Sequence, residues 1–400
     1  MKNITVKGRS FLDRNGKEKV YNGINIVCKD PRMGYLFDLQ REDWDALEAM
    51  GIDIVRFGVI WSGAEPVCGV VDDDYLDRVE EKLREFEEHG ISVFLDMHQD
   101  LYSIRFMDGA PLWATLSRGE HKVDGAWSSA YYISPAVHSA LDAFWNNEPA
   151  RDGRGLQDHL AFTWQKIAER FAGNPNVVGY DFLNEPSPGT LFRDYFVAFL
   201  RSLNGYWDRV TGIPHTYEET FAMYYDPDRI GPVLRDIGID EFSAILAGEP
   251  AKIVEHFEAN YLQPFYNKMA AAVRKADRES ILMYCNSAIT NWGGADHLLP
   301  LEVDGVRDPI QAFAPHGYDL VDCTAYVYAA DQNRVDRCFQ QHLDWAEQHG
   351  LPMLAGEWGA FPADDPLMAQ KMRATRTFFT AHNISQTYWD YRPGKGVLPL

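Results

Sequence analysis

The stretch DFLNEPSPG, from Asp181 to Gly189, follows the apolar run Asn176-Val177-Val178-Gly179-Tyr180. A buried strand thus ends on an adjacent amide and carboxylate, Asn184 and Glu185. Desolvating a carboxylate is costly, so its placement there points to use. A second carboxylate, Glu357, closes the short apolar run PMLAGE. Two carboxyl groups facing one cavity suit cleavage of a glycosidic bond. One protonates the leaving oxygen, and the other attacks the anomeric carbon or activates a water. A separation of about 5–5.5 Å gives retention and a wider one inversion; the spacing along the chain leaves that choice open. The acid needs a raised pKa while its partner stays ionised. Arg56 and Tyr318 are candidates for holding one carboxylate charged. Asn184 can bond a sugar hydroxyl beside the reacting carbon, and His98 and His316 can bond hydroxyls or orient the acid. Taken singly, each of these residues also suits a cap, a brace or a core contact, as Trp389 does. Their convergence at strand ends is harder to explain by packing alone.

The elements that must position them are read from periodicity. Eight apolar runs read as strands: 20–26, 53–59, 91–97, 177–183, 280–286, 310–316, 352–357 and 384–390. Between them, 41–50, 74–89, 157–172, 251–276, 333–349 and 365–381 carry apolar residues at helical spacing. Alternation of strand and helix predicts a parallel sheet with helices outside. Eight repetitions predict a closed (β/α)8 barrel, one domain over 1–400 with long connections after strands three and four. An open doubly wound sheet is the alternative, but the first strand carries no G-x-G-x-x-G. The candidate residues fall at the strands' C-terminal ends, where such barrels place active sites. Residues 1–19 read as a hairpin about Arg14-Asn15-Gly16, a plug over the other end. The aromatic-rich connections 100–156 and 186–250 are long enough to be functional. The second is expected to lie over the site, with Tyr206, Trp207, Tyr217, Phe221, Tyr224 and Tyr225 shaping an apolar pocket. Only ten residues follow the eighth strand, too few for an ordinary closing helix.

Bulk properties narrow the partners. A formal net charge of −21 argues against nucleic acid and against unaided binding to anionic lipid. No apolar window is long enough to span a bilayer. The first residues lack the apolar core of a secretory signal, so a cytoplasmic protein is expected. The five cysteines, Cys28, Cys68, Cys285, Cys323 and Cys338, show no C-x-x-C spacing and read as buried free thiols. No metal or organic cofactor is expected, because the two carboxylates supply acid and nucleophile.

The order Arg56, His98, Asn184-Glu185, His316 and Tyr318, Glu357, Trp389 resembles the retaining β-glycosidases of glycoside hydrolase family 5. The resemblance covers roughly residues 20–392. It implies that Glu185 is the acid/base and Glu357 the nucleophile, with Pro186 stiffening the exit from the strand. FGVIWSGAEP, YLDRVEEKL, LDMHQDLYS and YYISPAVHSALDAFWNN are similar to the endoglycoceramidase and glucosylceramidase-like branch. That branch implies that Asp96 and Lys29 bond glucose hydroxyls and that Trp389 floors the sugar site. The chain shows neither the second β-sandwich domain nor the leader of secreted relatives, and its connection 186–250 is longer. Hydrolysis of a β-glucoside with an apolar aglycone, such as glucosylceramide or a steryl or aryl glucoside, is therefore expected. The alternatives are endo-acting cleavage of β-glucan, mannan or longer glycolipid glycans, and a carbohydrate-binding barrel without catalysis.

Overall fold

Seven consecutive buried residues, Ile54–Ile60 (IVRFGVI), build one strand, and Ser92–His98 (SVFLDMH) builds its equally buried neighbour. Strands covered on both faces favour continuous apolar runs over alternation. In chain order the barrel strands are Asn22–Ile26, Ile54–Ile60, Ser92–His98, Val177–Asp181, Ile281–Tyr284, Gln311–Phe313, Leu354–Ala355 and Ser385–Tyr388. Consecutive strands pair in parallel, and the eighth pairs with the first. Isolated parallel bridges, Phe313 to Met353 and His316 to Glu357, span the seam between strands six and seven. The result is a ring of eight parallel strands, as expected for a (β/α)8 barrel. Strands six and seven are shorter than their apolar runs suggest, and the second bridge sets His316 beside Glu357. Residues 2–224, 226–322, 327–359 and 366–394 are described by this computed structural model.

Helices follow where periodicity placed them. The helix Asp73–Glu88 starts where the Asp72 carboxylate accepts from the Tyr75 amide, and it buries Tyr75, Leu76, Val79, Leu83 and Phe86. The helix Gln332–His349 stops at Gly350, whose φ of 64° suits glycine. The expected helix 251–276 is divided into Glu249–Phe257 and Gln263–Arg274 by a π turn, Glu258–Leu262. Among the described residues no helix follows the eighth strand. None of the described helices is long and apolar enough to cross a membrane.

The N-terminal segment departs from expectation in its turn. Ile4–Lys7 and Ser10–Asp13 pair antiparallel across Gly8-Arg9, and the chain turns again at Asn15-Gly16, where Leu12 bridges Glu18. Ile4 and Phe11 pack against Ile54, Phe94, Val178, Ile281 and Leu354 of the barrel. The connection after strand four is helical, not irregular: Thr190–Thr211, Tyr217–Tyr224, Pro227–Asp236 and Ile239–Leu246. Phe196, Phe199, Leu200, Leu203, Ile230 and Phe242 gather into a core of its own, which explains its aromatic content. Trp207 stacks on His215, and Tyr224 packs edge-on against Phe196, so these rings serve that internal core. Tyr225 lies outside the described residues.

Candidate active site

Arg56 lies mid-strand with no exposed surface, and its guanidinium organises one rim of the barrel. Nε donates to Asp181 at 2.8 Å, and Nη1 to Glu357 at 2.5 Å and Asn25 at 3.2 Å. Nη2 donates to Asp96 at 2.8 Å and Asn184 at 3.0 Å. The buried cation is fully met, but three carboxylates share it, and Asp181 Oδ1 has no hydrogen-bond partner among the described residues. The second Glu357 oxygen accepts from the Tyr318 hydroxyl at 3.0 Å. Glu357 therefore receives a charged donor on one oxygen and a phenol on the other, both favouring the carboxylate.

Glu185 has different company. Its Oε1 accepts from the Asn291 amide at 2.7 Å and lies 3.1 Å from His316 Nδ1. No Arg56 nitrogen reaches it; the guanidinium is occupied elsewhere. Glu185 has a φ of 40°, in the left-handed region that residues with a Cβ disfavour. Such strain costs on the order of 1–3 kcal/mol and tends to mark sites of function. Gln99 clamps this turn, its amide donating to the carbonyls of Asn184 at 2.7 Å and Glu185 at 3.1 Å. An oxygen from Glu185, an oxygen from Glu357 and a His316 ring nitrogen lie within 4.8 Å of one another.

A third wall comes from strands one and three. The Lys29 ammonium bonds Asp100, lies 3.8 Å from Asp108, and sits 4.9 Å above the Trp389 ring. His98 stacks on Trp389 with centroids 5.2 Å apart. Its Nδ1 bonds Asp96 at 2.7 Å, while Nε2 is buried without a hydrogen-bond partner among the described residues, 3.9 Å from an Asp100 oxygen. Asp96 corrects an expectation. It is fully buried, with one oxygen on Arg56 and the other on His98, so it braces the site from behind. Aromatic rings approach from the helical connection: Tyr131 stacks on Phe192, and Phe192 and Tyr195 meet Trp292, the neighbour of Asn291. These rings, rather than Tyr206 to Tyr224, flank the site.

Electrostatics separate the groups. Burial raises Glu185 to about 7, with Asp100 adding and His98, Arg56 and Lys29 opposing. Burial pushes Glu357 up as well, with His316 and Arg56 opposing and Glu185 adding. Burial drives His316 down to about 3, so its ring is neutral. For His98, burial and Lys29 lower the pKa, but Asp96 and Asp100 outweigh them and hold it at about 9. Its Nε2–H, which faces Asp100 without a hydrogen bond, is thus a charged donor.

Sequence reasoning brought Glu185, Glu357, Arg56, Asn184, His98, His316, Tyr318, Trp389 and Lys29 to one rim, with Asp96 behind them. It missed Asn291, Asp181, Asn25, Gln99, Asp100 and Asp108. Asp181 was visible at the start of the quoted segment, and Asn25 in the first strand; Asn291 sits in a loop with no periodic signal. Of the described cysteines, Cys28, Cys285 and Cys338 are buried and Cys68 is half-buried; Cys323 lies outside the described residues. His98, Asp100 and Asp108 have the composition of a cation site, but Lys29 already brings a positive charge against both carboxylates.

Comparison with known proteins gives a consistent set. The family model described as cellulase (glycosyl hydrolase family 5) matches residues 12–207 and 245–395. Endoglycoceramidase I of Rhodococcus hoagii is 30% identical over 231 residues, 56% of this chain and 46% of that protein. A glucosylceramidase of Rhizopus delemar is 27% identical over 438 residues, covering 84% of this chain and 62% of that protein. The chain spans about half the length of the curated relatives it matches. Among solved structures, endo-glycoceramidase II from Rhodococcus sp., as a lactosyl-enzyme intermediate, superposes with a TM-score of 0.71 at 25% identity. That match covers 96% of this chain and 75% of the other.

Proposed function

Because this chain belongs to the cellulase family, glycosyl hydrolase family 5, we propose that it hydrolyses β-glycosidic bonds with retention of configuration. The observation that carries the reading is the approach of Glu185 and Glu357 oxygens to within 4.8 Å. Oxygens this near agree with the about 5–5.5 Å between the carboxyl groups of retaining pairs. A solved relative described as a lactosyl-enzyme intermediate supports a covalent step.

In this reading Glu357, held ionised by Arg56 and Tyr318, attacks the anomeric carbon while Glu185 gives its proton to the leaving oxygen. Glu185 then takes a proton from the water that opens the ester. Its pKa near 7 lets it serve as acid and then base. Lys29, the His98 Nε2–H and Asn184 bond the sugar hydroxyls, and Trp389 is the floor beneath the ring. The rings of Phe192, Tyr195 and Trp292 border an apolar aglycone. The substrate is a β-glucoside of a lipid, sterol or aryl alcohol, in keeping with the glucosylceramidase relatives. A second reading, release of a whole glycan from a glycolipid, is favoured by the endoglycoceramidase relatives.

The test is trapping with a 2-fluoro-β-glucoside followed by crystallography. The expected result is an ester on Glu357, with Glu357→Gln abolishing turnover of an activated aryl glucoside. Unchanged turnover in that variant would refute the assignment. Parallel assays on aryl glucoside, glucosylceramide, a lactosyl glycolipid and cello-oligosaccharides separate the substrate classes. Activity confined to the oligosaccharides would remove the apolar aglycone.

A further inference from the structure

The connections after strands two and three meet at a second cluster of reactive side chains, away from the two glutamates. Cys68 lies in the loop after the helical turn Trp61–Ala64. Asp152 lies in a turn closed by the bridge from Pro149 to Gly155, and His159 in the first turn of the helix Leu156–Phe171. His159 Nε2 is 3.0 Å from Asp152 Oδ1 and 3.6 Å from Cys68 Sγ, and the three ligand atoms lie within 4.8 Å of one another.

We propose that Cys68, Asp152 and His159 form a binding site for one zinc-like divalent cation that staples these two connections together.

The geometry is that of tetrahedral edges. With Zn–S of about 2.3 Å and Zn–N or Zn–O of about 2.0–2.1 Å, neighbouring ligand atoms stand about 3.3–3.6 Å apart. The His159 Nε2 separations of 3.0 and 3.6 Å bracket that range, and the Cys68–Asp152 edge closes the triangle within 4.8 Å. The ring is already set for it. His159 Nδ1 faces Glu65 Oε1 at 2.8 Å, the arrangement in which a carboxylate fixes the tautomer and frees Nε2 for metal. Glu65 is itself immobilised, accepting from Trp61 Nε1 at 2.9 Å, Thr163 at 2.7 Å and the Gly69 amide at 2.8 Å. The Trp113 ring packs edge-on at 4.7 Å from His159. Glu65 and His159 have no exposed side-chain surface, whereas the Asp152 side chain is 38% exposed. The rigid ligand is thus inside and the entry path outside, leaving water as the fourth ligand. A thiolate and a carboxylate neutralise the dication, and mixed sulfur, nitrogen and oxygen donors favour zinc over magnesium or calcium. Burial and Asp152 push the Cys68 thiol up, with the exposed Arg151 opposing. Binding therefore releases the Cys68 proton and moves Arg151 aside.

The experiment uses the full chain stripped by a chelator and titrated with Zn2+ and, separately, Co2+. One equivalent of Zn2+ is expected to bind at micromolar concentration or below and to raise Tm. Co2+ is expected to give a thiolate-to-metal charge-transfer band. Cys68→Ser abolishes that band, and Asp152→Asn, at an exposed position that leaves folding intact, weakens Zn2+ at least about tenfold. Aryl glucosidase activity of the stripped protein gives a separate readout of the candidate active site. The proposal is overturned by the absence of stoichiometric binding at micromolar Zn2+. It is equally overturned if the band persists in Cys68→Ser, or if Asp152→Asn keeps wild-type affinity.

Discussion

Replacing Asn291 by alanine should shift the alkaline limb of the pH profile upward by about one unit. The amide is buried, and its Nδ2 donates to Glu185 Oε1 at 2.7 Å. Its orientation is fixed, because Oδ1 accepts from Asn286 at 2.9 Å and the backbone carbonyl accepts from the Tyr318 amide at 2.9 Å. Only the NH2 can face Glu185. A hydrogen bond to a charged acceptor is worth about 1.5–3 kcal/mol net, and one to a neutral acceptor about 0.5–1.5 kcal/mol. Their difference, about 1–1.5 kcal/mol, favours the carboxylate and corresponds to about one pKa unit. Removing the donor raises Glu185 from about 7 towards about 8. A proposed acid must be protonated to act, so kcat/KM falls as pH rises through its pKa. At about pH 8 the wild type should keep about a tenth of its plateau and the variant about half. The assay is kcat/KM against pH for an aryl β-glucoside with a poor leaving group, with Tm as the control for folding. A limb that stays in place or moves towards acid refutes both the donor's role and the assignment of the limb to Glu185.

Two further outcomes follow from the same geometry. Glu185→Ala should slow glucosides with poor leaving groups by about 10²–10⁴-fold and activated ones far less, with azide restoring part of the turnover. Equal loss on both, without rescue, argues against an acid/base there. Arg56→Met leaves Asp96, Asp181 and Glu357 buried without their cation; stability by urea denaturation should fall by at least about 3–5 kcal/mol. A wild-type midpoint would contradict the guanidinium's organising role.

The barrel was legible because strand and helix periods alternate eight times, and a parallel ring then brings every strand's C-terminal end to one rim. That rule suffices for Arg56, His98, Glu185, His316 and Glu357, which need only strand position. It fails for contacts set by loop paths. Asn291 reaches Glu185 through the turn after Ala288–Thr290, and Asp100 meets Lys29 just before a bend with Leu101 and Tyr102 at positive φ. The helical connection was misread for a related reason. Phe196, Phe199 and Leu203 do keep helical spacing, but they pack on neighbouring helices of the same segment. Their aromatic content was therefore no guide to a ligand surface.

The difference in surroundings between the two glutamates follows from where a single guanidinium makes its bonds. Arg56 has a limited set of N–H bonds, and they go to Asp181, Asn25, Asp96, Asn184 and Glu357. Glu185 is left with a neutral amide and a neutral imidazole, so burial dominates and carries it to about 7. His98 and Lys29, the other cations nearby, only partly offset this, Lys29 being paired with Asp100 and Asp108. Two residues of the same type thus differ in their surroundings, one bonded to the buried arginine and the other to a neutral amide. Asp96 and Asp181, both fully buried, fix where that arginine points.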